Sequence, residues 1–98
     1  MTINKKLEGT KLTAAVQGRI DTVTVTEAEA ILKDGIENVT ELVLDFKELD
    51  YISSAGLRLL LSLQKTMAKQ GSMKIKNVNE IVMEIFEVTG FSDILTID

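Results

Sequence analysis

Residues 42–58 read Leu42-Val43-Leu44-Asp45-Phe46-Lys47-Glu48-Leu49-Asp50-Tyr51-Ile52-Ser53-Ser54-Ala55-Gly56-Leu57-Arg58. The first five form a near-continuous apolar run, the pattern of a strand buried on both faces of a parallel sheet. Lys47 to Ser53 reads as a connection of mixed chemistry. From Ser54 the pattern turns helical and continues to Gln70, with Leu57, Leu60, Leu61, Met67 and Ala68 as the predicted buried stripe and Gly71 as the stop. A buried strand leading into a long apolar helix is half of a β-α-β unit, so the class is α/β.

Working outward, Ile3–Leu7 and Leu12–Gln17 read as two short strands around Glu8-Gly9-Thr10, a hairpin. Residues 22–34 read as a helix with Val25, Ala28, Ile31 and Leu32 on one face and Gly35 as its C-terminal stop. Ser72–Lys76 is a short strand. Asn79–Val88 is a helix with Ile81, Val82, Ile85 and Phe86 on its apolar face. Phe91–Ile97 closes as a helix, a strand or an ordered tail. The expected order is ββαβαβα: one small domain over residues 1–98, its mixed, mostly parallel sheet edged by the N-terminal hairpin and packed with helices.

Composition removes whole classes of chemistry. The 98 residues include no cysteine and no histidine, which excludes thiolate nucleophiles, histidine bases and Cys/His zinc sites. No EF-hand spacing occurs, and neither a metal nor a cofactor is expected. Fifteen acidic against eleven basic residues give a net charge of −4. That sign gains nothing from phosphate-backbone counterions, so nucleic acid is not an expected partner. No apolar run of 18 residues is present, and a membrane span is not expected either. The N-terminus lacks the apolar core of a signal peptide, making the cytoplasm the expected location. The apolar pattern reveals no large exposed patch, so a monomer is expected.

The informative residues lie between the strand and the long helix. Ser53 and Ser54 stand where an N-cap belongs, and one hydroxyl can accept a hydrogen bond from an otherwise unpaired N–H. A phosphate at a helix N-terminus is favoured by those free N–H groups and by the helix dipole. Arg58, four residues after Ser54, is either a solvated helix residue or a partner for a phosphoserine. Glu48, Asp50 and Asp21 would repel the added charge. A switch by ordering and a switch by repulsion are therefore both consistent with the sequence. Gly56 costs helix propensity, which points either to tight packing or to a close approach by something else.

The stretch Leu42–Arg58 resembles the signature of the STAS family, which includes bacterial anti-sigma factor antagonists. The resemblance runs over nearly the whole chain. Gly18-Arg19-Ile20-Asp21 is similar to the family's loop after the second strand, and Phe86-Glu87-Val88-Thr89-Gly90-Phe91 to its C-terminal helix ending. The resemblance implies a binding module rather than an enzyme. In such antagonists a serine at the start of the second long helix is phosphorylated by the anti-sigma factor, itself a serine kinase. The unphosphorylated form binds that kinase and frees the sigma factor, and a metal-dependent serine phosphatase resets the switch.

Carried to this sequence, the acceptor falls on Ser54, with Ser53 the second candidate. The partner-binding set is Asp21, Ser53, Ser54, Gly56 and Arg58. Ser53 stands where the family usually has aspartate, and Ala55 where it has serine or threonine. The competing reading is a STAS scaffold or transporter-associated domain with no phosphorylation. An elbow nucleophile at Ser54 is disfavoured, because G-x-S-x-G, a positioned histidine and Ser-x-x-Lys are all missing. A phosphate-binding GxxxxGK[ST] loop is absent too, so ATP is expected to belong to the partner.

Overall fold

Leu42 and Leu44 set the layering of the molecule. The computed structural model describes residues 1–98, with strands β1 Thr2–Glu8, β2 Lys11–Ile20, β3 Glu41–Asp45, β4 Leu49–Ile52 and β5 Ser72–Lys76. Helices are α1 Val25–Lys33, α2 Ser54–Gln70 and α3 Glu80–Val88, with short 3-10 turns at Ile36–Asn38 and Phe91–Asp93. The sheet runs β1-β2-β3-β5, and β4 pairs separately with β2. Only the β1–β2 hairpin is antiparallel; the β2–β3, β2–β4 and β3–β5 pairs are parallel.

Register puts Leu12, Leu42 and Met73 in one row and Ala14, Leu44 and Ile75 in the next. Side chains alternate across a strand, so both rows face the helices. There they join Ala28, Leu32, Leu57, Leu60, Leu63, Met67, Val82 and Phe86 in one apolar cluster. Each fully buried leucine or isoleucine contributes roughly 1.5–3 kcal/mol. The opposite face carries Lys6, Thr13, Val43 and Lys74 in one row and Asn4, Ala15, Asp45 and Lys76 in another. Val43 is buried within the sheet but lies outside the helix-side cluster. The expected burial of β3 on both faces thus holds for Leu42–Leu44, while Glu41 and Asp45 are half-buried and helices cover only one side.

Four expectations need correction. The connection Lys47–Ser53 contains a strand, β4. It forms because β2 runs three residues past Gln17 to supply a pairing edge. Pairing with β3 ends at Ala15 and pairing with β4 begins at Gly18, which has φ 100°; the next step pairs Arg19 with Tyr51, so Asp50 is the extra residue of a bulge in β4. Helix α1 starts at Val25, not residue 22, because Asp21–Thr24 form a hydrogen-bonded turn. On α2, Leu59 and Leu63 are buried, whereas Ala68 is exposed and Leu61 half-buried. On α3, Val82 and Phe86 are buried but Ile81 is exposed. The tail after the second 3-10 turn ends in a bridge, Ile97 beside Ile75.

Candidate functional site

The ends of β2 and β4 lie side by side and deliver two chain segments to one place. Arg19 is paired with Tyr51 and Ile20 with Ile52. The Ser53 N–H then donates to the Ile20 carbonyl at 2.8 Å, carrying the pairing one step past β4. Beyond these ends, β2 turns into α1 through Asp21, and β4 turns into α2 through Ser53. Asp21 and the two serines are therefore brought together at the carboxyl ends of adjacent strands, the usual place for function in parallel sheets.

Each serine has its own position in the turn. Ser53 is extended (φ −90°, ψ 176°) and is the N-cap of α2. Its Oγ accepts from the Gly56 N–H at 3.4 Å, and its carbonyl accepts from the Leu57 N–H at 2.9 Å. Ser54 is the first helical residue; it is exposed, and its hydroxyl takes no part in the cap. The first turn of α2 holds no acidic side chain, unlike the first turns of α1 (Glu27) and α3 (Glu80). The positive end of the longest helix is thus left without a carboxylate of its own.

Gly56 is buried on the core side of this turn. A Cβ there would lie 2.5 Å from Ile52 Cγ1 and 2.9 Å from Ile20 Cγ2. Of its two readings, packing accounts for the glycine: it lets α2 press against the ends of β2 and β4. Arg58, one turn beyond Ser54, is exposed.

Asp21 organises the other segment. Its Oδ1 accepts from the N–H groups of Val23 (2.9 Å) and Thr24 (3.0 Å), while the Thr24 hydroxyl donates to the Arg19 carbonyl at 2.8 Å. The Asp21 N–H donates in turn to Thr24 Oγ1 at 2.9 Å. The Thr24 N–H bond is the main reason the Asp21 carboxyl is held below its ordinary 3.8. Desolvation, next in size, opposes it, and Val23, the Thr24 hydroxyl and the charge of Arg19 add smaller lowering effects. The carboxylate stays ionised at neutral pH, with Oδ2 3.7 Å from Arg19 Nε.

Sequence reasoning missed Arg19, Tyr51 and Thr24 as parts of this site. The guanidinium carbon of Arg19 lies 4.5 Å from the centroid of the Tyr51 ring, a cation–π contact across the β2–β4 pair. Asp-x-x-Thr was the available signal for the Thr24 turn. The Arg19–Tyr51 contact had none, because it depends on a strand that the sequence did not reveal. Chemically, the arrangement offers an exposed hydroxyl at the start of α2 and, at the end of the neighbouring strand β2, a fixed carboxylate and an aromatic-backed cation. No cluster of Asp and Glu is spaced to hold a metal ion, and no helix is long and apolar enough to cross a membrane.

Comparison with known proteins agrees with this fold. The model of the STAS domain family matches residues 3–98. BtrV of Bordetella bronchiseptica, assigned as an anti-sigma factor antagonist, is 35% identical over 94 residues, covering 94% of this chain and 80% of BtrV. The anti-sigma-B factor antagonist of Bacillus subtilis is 30% identical over 83 residues, covering 84% of this chain and 76% of that protein. The anti-sigma factor antagonist SpoIIAA from Bacillus shares the fold at low identity. Its unphosphorylated form superposes with a TM-score of 0.83 at 19% identity, over 99% of this chain and 88% of that one. Its phosphorylated form gives 0.75 at 18%, over 99% and 91%. A match that spans the sheet, all three helices and the Ser53–Ser54 turn makes this chain a member of the STAS domain family.

Proposed function

We propose that the protein is an anti-sigma factor antagonist whose partner binding is controlled by phosphorylation of Ser54. In this reading residues 1–98 act as one cytoplasmic, monomeric domain. The unphosphorylated form binds an anti-sigma factor that is also a serine kinase, and the sigma factor is released. The kinase transfers the terminal phosphoryl group of its own ATP to Ser54 Oγ, and a metal-dependent serine phosphatase removes it. This chain contributes no catalytic group; it is the substrate and the ligand.

The observation that carries the proposal is the division between the two serines. Ser53 spends its oxygen on the Gly56 N–H, whereas Ser54 is exposed with its hydroxyl outside the cap. A kinase needs an accessible nucleophilic oxygen, and Ser54 offers one without unmaking the helix start. The names of the two curated relatives support the antagonist assignment. The low-identity likeness to SpoIIAA supports the fold only.

A phosphate on Ser54 adds a charge of about −2 at pH 7. Glu48 and Asp50 are exposed on the approach to the turn, and Asp21 is ionised beside it. Placed on the docking surface, the new charge disfavours the partner by repulsion and by the cost of burying a dianion.

Phosphopeptide mapping tests the acceptor. Trypsin releases Glu48–Arg58, and protein from native cells with phosphatases inhibited is expected to carry phosphate on Ser54. Ser54→Ala is expected to abolish the modification while preserving kinase binding, and Ser54→Asp to weaken binding. Persistent phosphorylation of Ser54→Ala would transfer the role to Ser53. An unmodified peptide under every growth condition would favour a scaffold.

A further inference from the structure

Charge in this chain is unevenly placed. From Asn77 to Asp98 there are five acidic side chains and no basic one, whereas residues 1–76 hold ten acidic against eleven basic. The whole negative excess therefore sits in the C-terminal segment, and α3 is its centre. The helix is also the molecule's most openly apolar one. Ile81 is 61% exposed and Val88 76%, beside half-buried Ile85.

The 3.6-residue period explains how both features coexist. Val82 and Phe86 point into the core. Ile81, Ile85 and Val88 lie next to them around the helix, and Glu80, Glu84 and Glu87 form the stripe beyond. Moving around α3, one meets core, then an uncovered apolar strip, then an acidic rail. We infer that this outer strip of α3 is a docking surface for a basic amphipathic helix of a partner protein, seated with its apolar side on Ile81 and Val88 and its cations against the glutamates.

Charge complementarity selects that occupant. Three glutamates with no intervening cation repel an acidic partner and attract a basic one, while the adjacent isoleucine and valine supply area to bury. The surface lies on a different helix from Ser54 and runs away from it. Strands β4 and β5 are parallel, and the bridge of Ile97 to Ile75 is parallel as well. Between them α2 and α3 must each run back against the strands. Ser54 at the start of α2 thus lies at the carboxyl end of the sheet, as does Ile81 at the start of α3, whereas Val88 at the end of α3 lies at the amino end. The inference stands independently of phosphorylation.

The test uses the whole 98-residue chain, isotopically labelled, titrated with two synthetic helical peptides that share the same leucine positions. One has lysine at its polar positions, the other glutamate. The lysine peptide is expected to give saturable shifts in residues 80–88, leave Asp21 and Ser54 unmoved, and bind at least about tenfold tighter than its glutamate twin at low salt. The double substitution Ile81→Ser/Val88→Ser, both at exposed positions, is expected to weaken binding about tenfold. Glu80→Lys/Glu84→Lys/Glu87→Lys is expected to reverse the peptide preference. Shifts scattered over the surface, equal affinity for both peptides, or indifference to the Ile81/Val88 pair would each overturn the inference. Concentration-dependent shifts in α3 without peptide would overturn it too, by making a second copy the occupant.

Discussion

Helices α2 and α3 begin in the same way and are left in different states. Each starts from a residue in extended conformation whose side-chain oxygen accepts from the N–H three positions on: Ser53 from Gly56 at 3.4 Å, Asn79 from Val82 at 2.9 Å. Asn79 also donates from Nδ2 to the Leu49 carbonyl at 2.7 Å, locking the start of α3 onto β4. The following residue then differs. After Asn79 comes Glu80, whose carboxylate answers the positive end of α3; after Ser53 comes Ser54, neutral and exposed. One helix start is finished by its own sequence. The other keeps its cap but leaves its dipole open to a group added later.

The largest test of that contrast is Asn79→Ala. It removes a cap and leaves the carbonyl of buried Leu49 without its partner, for an expected loss of about 2–3 kcal/mol. Urea denaturation measures it. Ser53→Ala gives up only one long cap bond, about 1 kcal/mol at most. Equal losses in the two variants would break the comparison.

The next effect is smaller and has two signs. Ser54→Asp supplies α2 with the charge that α3 already has, and is expected to stabilise the fold by a few tenths of a kcal/mol. Glu80→Gln removes that charge and costs about the same. Both changes should shrink in high salt. A destabilising Ser54→Asp would mean that Glu48, Asp50 and Asp21 outweigh the helix dipole at this position.

The smallest effect depends on acid. The Asp21 carboxyl in the folded protein titrates below 3.8, so its contribution is complete above that pH and is lost as the pH falls through the lowered value. Asp45 titrates below 3.8 as well: burial opposes this, but the Asn77 amide, the Lys47 N–H and nearby lysines outweigh it. The cap of α3 is an amide and does not titrate. Hydrogen exchange on acidification is expected to open Val23 and Thr24 beside the α2 start before Val82, and Asp21→Asn should abolish that pH dependence. Simultaneous opening would tie both helix starts to one global transition.

Legibility in the sequence followed burial pattern. Strand β3 and helix α2 announce themselves because nearly every residue of one, and a full stripe of the other, is apolar. β4 stayed hidden because its two buried residues, Leu49 and Ile52, are three apart, a spacing foreign to the two-residue period of a strand. Its formation depends on the continuation of β2 through Gly18–Ile20, a segment far away in the sequence. At the site, two adjacent serines could each have been the cap. What separated them was backbone conformation, extended at Ser53 and helical at Ser54, which composition does not encode. The exposure of Ile81 was hidden for the opposite reason: Ile81, Val82, Ile85 and Phe86 span an arc wider than one contact with a sheet can cover.

The bridge at Ile97 has a consequence for the living cell. Ile75 donates its N–H to the Thr96 carbonyl at 2.9 Å and accepts from the Asp98 N–H at 2.8 Å, so residues 96–98 fill the outer edge of β5. The edge at the other end of the sheet, β1, is guarded instead by Lys5, Lys6 and Glu8, charges that discourage a foreign strand. During synthesis β1 carries its protection as soon as it emerges from the ribosome. β5 carries Lys74 and Lys76 of its own, and gains its backbone cover only when residues 96–98 fold back onto Ile75.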